Sequence, residues 1–317
     1  MLGQRNRNYL KRSQKRKSRM GFPWRKLLLV LFAAAFTYFS VRLIVYGIHS
    51  ANNAKTNAEL NTLYAEQTEE SESAEGTEIL PEALPEEALM EAFEESDETL
   101  SDKAAEATAE PVQPELLKEY QYIGSEVASS AKELYAINPD LVAWLDIPDV
   151  ARLPVVYRDN VFYLTHDFYG KESDAGTLFL DQYHPLKAQN QYLMIHGHNM
   201  YDASMFGKLT HYRKKDFIAT HPTLTLTTLY SKDTYEIIGS LYVEEGDMVS
   251  IAGLGRPRFA SVEDFNRFIQ TFKARAMHFT DVEITPDTAL LALATCYETG
   301  RIVVLFRRTS AIPISPN

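Results

Sequence analysis

The sequence predicts a mainly β protein with added helices, in which short strands close into a barrel or pack as a sandwich. Short apolar runs rich in β-branched and aromatic residues recur between residues 144 and 306, with turn residues between them. Helix-like spacing of apolar residues appears ahead of these runs and in one later segment. This arrangement favours a barrel or sandwich over a parallel α/β sheet, and about 200 residues are ample for one core.

The first 48 residues predict a basic cytoplasmic tail and a membrane anchor. Residues 1–26 hold ten Lys or Arg and no acidic residue. Residues 27–48 are mostly apolar and can span a bilayer, provided that Arg42 reaches the interface. Basic flanks stay in the cytoplasm, so the rest of the chain is expected outside the cell, and the tail is not expected to bind nucleic acid. A cleaved signal peptide is the alternative.

The next segment, residues 51–112, predicts an acidic, disordered spacer. The sequence from Glu59 to Glu119 contains twenty Asp or Glu and only two lysines. Such a composition buries too little apolar surface to fold and repels itself into an extended chain. The spacer dominates the net charge of −11, which therefore says little about the partners of the folded domain, expected over residues 114–317.

Two helices are expected at the start of this domain. Apolar residues recur at three- and four-residue spacing from Leu116 to Leu134, and Pro114 suits the start of a helix. Asn138 and Pro139 resemble the cap and first residue of a second short helix that reaches Trp144.

Strands dominate the remainder, interrupted by one helix. Ser261 and Asp264 resemble a capping box, and the residues behind them form an apolar stripe. Strands are expected at Trp144–Ile147, Leu153–Tyr157, Thr177–Asp181, Gln191–His196, Thr223–Leu229, Thr234–Glu244, Leu290–Thr295 and Arg301–Phe306.

The only cysteine, Cys296, lies between the last two of these strands. The intervening Tyr297–Gly300 suits a hairpin loop, which would make Cys296 and Arg301 a cross-strand pair on one face. A nucleophile beside a fixed cation is a usable catalytic arrangement. A small buried hydrophobic cysteine and a solvated edge arginine are the alternative. An exported chain with one cysteine forms no internal disulfide, so the thiol is expected either to be reactive or to pair with a partner chain.

A second candidate element is the pair His196 and His198, at a junction between strand and loop. Histidine exchanges protons near neutral pH, so either could serve as a general base. Two histidines around a glycine could also bind metal, but no further ligand stands at a familiar zinc spacing. No metal site and no cofactor are therefore expected.

Several blocks in this order resemble the class B sortases, membrane-anchored cysteine transpeptidases of Gram-positive cell surfaces. The resemblance runs from about Pro114 to the C-terminus, and a single block would be weak evidence. The blocks are Asn138–Ile147, Leu153–Val156, Asp159–Leu164, Gly176–Asp181, His196–Met200, Met205–Leu209, Leu293–Cys296 and Arg301–Val304.

The resemblance implies an eight-stranded closed β-barrel with N-terminal helices and a helix between late strands. It places the catalytic cysteine on Cys296, the histidine on His198 and the arginine on Arg301. His196 takes a position often held by tyrosine and is assigned no catalytic role. The spacing from Cys296 to Arg301 is shorter than in many class B members, which removes part of one groove wall and puts substrate preference in doubt.

Asn160, Leu164 and Thr295 are the substrate-binding residues that the resemblance implies. Asn160 and Leu164 lie in the block that resembles part of the sorting-signal groove, and Thr295 is a candidate to contact the bound peptide.

The function implied is a transpeptidase for exported proteins that bear a C-terminal sorting signal. It would cleave the sorting motif after threonine and join the acyl group to an amine of peptidoglycan precursor or a pilin subunit. The protein would be single-pass in the cell membrane, with an extracellular catalytic domain. A catalytically weak sortase-like scaffold and a cysteine peptidase that releases its product to water are the alternatives.

Overall fold

A computed structural model describes residues 24–75, 131–186, 191–253 and 255–314. The chain divides into two units, Met1–Ile48 and His49–Asn317, each described by itself. The first unit contains the start of helix α1 (Trp24–Glu75), whose apolar side chains up to Ile48 are mostly exposed. The segment Lys26–Glu69 is long and apolar enough to cross a membrane, a test that a signal sequence also passes.

The second unit is built on a closed β-barrel. Eight strands follow one another around it in the order β5-β1-β2-β3-β4-β8-β9-β6, and β6 pairs with β5 to close the ring. The β2–β3 and β4–β8 pairs are parallel and the others are antiparallel. A two-residue strand, β7, adds to the edge of β6. The strands are β1 Leu141–Ile147, β2 Ala151–Val156, β3 Leu178–Leu180, β4 Tyr192–His196, β5 Thr223–Thr228, β6 Ser231–Glu244, β7 His278–Phe279, β8 Leu290–Tyr297 and β9 Gly300–Pro313.

The expected eight-stranded barrel is confirmed, as are the eight expected strands, with ends that shift by a few residues or, at the C-terminal end of the last strand, by seven. Strand β8 shows why its sequence is continuously apolar. Leu291 and Leu293 point into the barrel core, while Leu290 and Ala292 belong to a second core on the outer face. A strand that is covered on both faces has no position at which alternation with polar residues is favoured.

Three further α-helices lie in the part of the second unit that the structure describes. Ser261 caps the longest one, as expected, because its side chain accepts the backbone N–H of Asp264 at 3.2 Å. Three phenylalanines of this helix are buried in the outer core. The helices are α2 Lys132–Ile137, α3 Lys215–Thr220 and α4 Val262–Arg275, and short 3₁₀ helices are Phe162–Leu164, Gly207–Arg213 and Glu245–Asp247.

The first part of the region expected as a disordered spacer is helical and docked on the domain. Helix α1 continues through Ala51–Glu75, and Leu60 and Tyr64 are buried against the domain. The Tyr64 ring stacks on Trp144, with centroids 4.2 Å apart and an interplanar angle of 3°. The acidic composition failed as a guide here because a few apolar residues on one helix face suffice for docking. The remainder of the predicted spacer lies outside the described residues.

The expectation of a helix from Asn138 to Trp144 is wrong. Asn138 ends helix α2, and its side-chain amide donates to the hydroxyl of Tyr163 at 3.0 Å and to the carbonyl of Phe168 at 2.9 Å. Strand β1 starts at Leu141 and pairs on both edges, with β2 and β5. Two ladders of hydrogen bonds outweigh the local cap-like pattern. The helix expected from Pro114 lies outside the described residues, apart from its last turn, which belongs to α2.

A buried histidine predicts a pH dependence of stability. His184 is fully buried, its Nδ1 donates to the Tyr192 carbonyl at 3.0 Å, and its Nε2 accepts the Gly255 N–H at 2.9 Å. Burial lowers the pKa of His184 below its ordinary value. The unfolded chain therefore binds a proton that the folded chain rejects, and stability falls as the pH drops below about 6.5.

The unfolding free energy of the detergent-solubilised chain should thus lose up to about 1.4 kcal/mol per pH unit in this window, relative to His184→Gln. Denaturant titrations of both proteins between pH 7.5 and 5 measure the difference. Parallel pH profiles would show that His184 binds protons equally in the folded and unfolded chain, which would contradict the prediction.

Candidate active site

The hairpin of β8 and β9 brings Cys296 and Arg301 together. Cys296 pairs directly with Arg301 in the register, and Tyr297 pairs with Gly300. The expected four-residue loop is therefore tighter than predicted, a two-residue turn in which Glu298 adopts a left-handed φ of 51°. The register fixes both side chains on one face at the strand end, so the predicted cross-strand pair is confirmed.

The guanidinium of Arg301 lies between a thiol and a carboxylate. Its Nη1 is 3.8 Å from the exposed Cys296 Sγ, and its Nη2 is 3.0 Å from Glu245 Oε1. Strand β9 also pairs with β6, where Val243 stands opposite Arg301. Glu245 follows Val243 by two residues, so the same pairing brings its carboxylate to the other side of the guanidinium. The fork geometry of arginine allows both contacts at once.

His198 follows strand β4 at the same end of the barrel. Its Nε2 is 2.7 Å from the Leu164 carbonyl, which can only accept, so Nε2 carries a proton in this arrangement. The preceding Gly197 is required by space. A Cβ at this position would lie 2.3 Å from a Leu178 methyl and 2.7 Å from the ring of Phe206. Glycine therefore allows the backbone after β4 to pack closely against the barrel core, directly before His198.

One open pocket of about 210 Å³ joins these groups. The three predicted catalytic residues line it, and so do two of the three predicted substrate-binding residues. Residues of the segment after β6 also line the pocket, and among them Val249 is 58% exposed. The lining residues are Asn160, Leu164, Phe179, Asp181, His196, Gly197, His198, Glu245, Met248, Val249, Cys296 and Arg301.

A buried carboxylate network supports one wall of the pocket. Asp181 is 1% exposed and accepts hydrogen bonds at 2.9 Å from both Asn160 Nδ2 and His196 Nε2. Burial by itself would raise the pKa of Asp181, but the hydrogen bond and charge of His196 lower it below its ordinary value overall. His196 is thus engaged by a carboxylate, which agrees with its lack of a predicted catalytic role.

Thr295 does not lie where sequence reasoning placed it. It is completely buried, it does not line the pocket, and its hydroxyl donates to the Gly197 carbonyl at 2.8 Å. The alternation of strand β8 explains this, since Cys296 faces the pocket and its neighbour must point to the other face. The expected contact of Thr295 with bound peptide is corrected to a bond that ties the cysteine strand to the histidine segment.

Glu245 is the polar pocket residue that sequence reasoning missed. Its approach to Arg301 depends on the pairing of β6 with β9, which joins residues 56 positions apart. No local motif signals such a contact. Among the residues that the structure describes, no group of three or more His, Cys, Asp or Glu side chains could hold a metal ion.

The closed barrel and the thiol, guanidinium and imidazole around one pocket define a sortase-type protein. No protein-family model matches the chain. Sortase B of Listeria monocytogenes is 30% identical over 189 residues, which cover 57% of this chain and 75% of that relative. The chain belongs to the class B sortase family, and this kinship supports an enzyme of that family.

Solved structures agree with this assignment. The fold matches Clostridium perfringens sortase B with a TM-score of 0.53 and 27% identity, covering 56% of this chain and 99% of that one. It matches a Staphylococcus aureus sortase B–substrate complex with a TM-score of 0.54 and 25% identity, covering 63% of this chain and 94% of that one.

Proposed function

We propose that this protein is a cysteine transpeptidase that cleaves a sorting motif after threonine and transfers the acyl group to an amine. The observation that carries the proposal is the exposed Cys296 thiol, 3.8 Å from the Arg301 guanidinium in a pocket that His198 also lines. A nucleophile, a cation and a proton-exchanging group around one cavity match the requirements of acyl transfer.

The first half-reaction forms a thioester. Cys296 passes its proton to His198, and the thiolate attacks the carbonyl carbon of the threonine. The negative charge develops on the carbonyl oxygen, where the donors of Arg301 stabilise it. The C–N bond then breaks, and the departing amine takes the proton from His198. The result is an acyl-enzyme and a free C-terminal fragment.

The second half-reaction regenerates the thiol. The amine of a peptidoglycan precursor or pilin subunit gives up a proton to His198 and attacks the thioester carbonyl. A new amide bond forms as the C–S bond breaks, and Cys296 recovers the proton. Cys296 is exposed to solvent, so water competes with the amine as an acceptor.

The N-terminal segment suits this role. A basic tail followed by an apolar helix would anchor the chain in the cell membrane with the tail in the cytoplasm. Exported proteins that bear a C-terminal sorting signal would then meet the enzyme at the outer face. Staphylococcus aureus sortase B has been solved as a substrate complex, which supports a sorting-signal substrate for this chain.

The test is intact mass spectrometry of the full chain in detergent with a pool of threonine-containing sorting peptides. We expect a mass addition that maps to Cys296 and that is absent in Cys296→Ala. Added triglycine or a diamine should discharge the adduct into an amide product.

Two outcomes separate the alternatives. Adduct formation followed only by hydrolysis, even with a large excess of amine, would identify a cysteine peptidase. A folded chain that neither forms an adduct nor cleaves any peptide would favour the scaffold reading and contradict the proposal.

A further inference from the structure

Helix α1 contacts the loop that follows the catalytic histidine. This loop, residues 199–207, is called the histidine loop. Ser50 Oγ donates to Asp202 Oδ2 at 2.5 Å, and Asn53 Nδ2 donates to Ser204 Oγ at 3.2 Å. Spacing of three residues puts both donors on one face of the helix. Two side chains of α1 therefore hold neighbouring residues of the histidine loop.

A third contact continues the same row one turn later. Asn57 Nδ2 lies 4.0 Å from the sulfur of Met205, which is itself only 3% exposed. Asn53 is 7% exposed, so its amide is enclosed between the helix and the loop. A buried amide without a hydrogen-bond partner destabilises the folded state. This contact therefore contributes more to stability than a hydrogen bond at the surface.

The histidine loop needs support from outside itself. Ala203 and Met205 have φ angles of 62° and 49°, a left-handed conformation that costs a residue with a Cβ about 1–2 kcal/mol. Such backbone persists where the surroundings over-determine it. The residues that α1 holds, Asp202 and Ser204, alternate with these two strained positions.

The loop in turn determines where His198 sits. The Phe206 N–H donates to the His198 carbonyl at 2.9 Å, and Asn199 pairs with Met205 across the loop. Asp202 accepts both the N–H and the hydroxyl of Ser204, which shapes the tip. A change at the tip is therefore transmitted to the backbone of His198 through this single bridge and its hydrogen bond.

The charge of Asp202 agrees with this arrangement. Partial burial would raise the pKa of its carboxyl, but hydrogen bonds from Ser204 and Ser50 lower it below the ordinary value. The acceptor is thus a carboxylate, and charge-assisted bonds are stronger than neutral ones.

We propose that Ser50 and Asn53 are positioning residues for His198, and that helix α1 is part of the catalytic apparatus. They fix the histidine loop, which holds the imidazole in the pocket beside Cys296. This inference rests on the proposed function, in which His198 transfers the proton. The helix thereby has a role beyond connecting the catalytic domain to the N-terminal segment.

The same helix provides a matched control. Asn61 Nδ2 donates to the Arg152 carbonyl of strand β2 at 3.0 Å and to the Asn57 carbonyl of its own helix at 2.7 Å, and in the described structure it forms no hydrogen bond with the histidine loop. Asn61→Ala therefore removes a docking bond of α1 and leaves the loop untouched. If α1 only stabilises the fold, both sets of variants should behave alike.

The experiment compares the full chain in detergent with Ser50→Ala/Asn53→Ala and Asn61→Ala. Hydrogen exchange of residues 199–207, which needs no peptide, should rise about tenfold in the double variant and stay unchanged in Asn61→Ala. With a peptide accepted by the wild type, the double variant should lose about tenfold in the acylation rate and under twofold in KM. Asn61→Ala should keep the wild-type rate.

Unchanged exchange in the double variant would overturn the proposal. Equal loss of acylation in both variants would also overturn it, since α1 would then act through stability alone. If the wild type accepts no peptide, the proposed function fails. The exchange measurement still decides in that case whether α1 orders the histidine loop.

Discussion

Replacing Arg301 with alanine is expected to slow the acylation of Cys296 by about 10²- to 10³-fold. The guanidinium is fixed in advance, with Nη1 3.8 Å from the thiol and Nη2 on the Glu245 carboxylate at 3.0 Å. Donors held beside a developing oxyanion stabilise the transition state without reorganisation. The loss should therefore appear in the rate of the chemical step and much less in KM, as measured by single-turnover intact mass with an accepted peptide.

Two variants sharpen this prediction. Arg301→Lys keeps the charge but not the fork that reaches both neighbours, so it should recover only part of the rate. Arg307→Ala is the matched control, because Arg307 forms a similar pair with Glu236 at 2.6 Å near the other end of the β8–β9 ladder. Its acylation rate should equal that of the wild type. An undiminished rate in Arg301→Ala would leave Cys296 as the nucleophile and remove the arginine from the mechanism.

The pair of Cys296 and Arg301 was predictable because hairpin pairing is local. A short loop between two β-rich runs fixes which residues oppose each other, and the observed two-residue turn keeps that register. Most strands were likewise visible as short apolar runs. Thr295 was chosen because it adjoins Cys296, but adjacent residues of a strand point to opposite faces, so its side chain is buried away from the pocket.

Contacts between distant segments were not predictable in the same way. Glu245 reaches Arg301 only because β6 pairs with β9, and Asn138 ends a helix because its amide finds partners in the segment 163–168. Average composition was a further source of error. It predicted a disordered acidic spacer from residue 51. The segment is instead helical, and a few buried side chains on one face pack it against the domain.

Those few positions lead to the largest expected effect on stability. Tyr64→Ala should lower the free energy of unfolding by about 3–5 kcal/mol. Tyr64 is 9% exposed and stacks on Trp144, which is 2% exposed, so the substitution removes a ring from the cluster and leaves a cavity over the indole. Stacked aromatic pairs contribute beyond the area they bury. Chemical denaturation of the full chain in detergent, followed by tryptophan fluorescence, measures the change.

Glu66 offers the comparison, since it lies two residues further along the same helix and is exposed. Glu66→Ala should stay within about 0.5 kcal/mol of the wild type, whereas Tyr64→Phe should retain most of the stability because it keeps the stacked ring. Equal stabilities for Tyr64→Ala and Glu66→Ala would mean that the helix does not depend on this contact. A large loss confined to Tyr64→Ala would mean that residues 49–69 belong to the folded domain. Any fragment that begins after Glu75 would then lack both the cover over Trp144 and the side chains that hold the histidine loop.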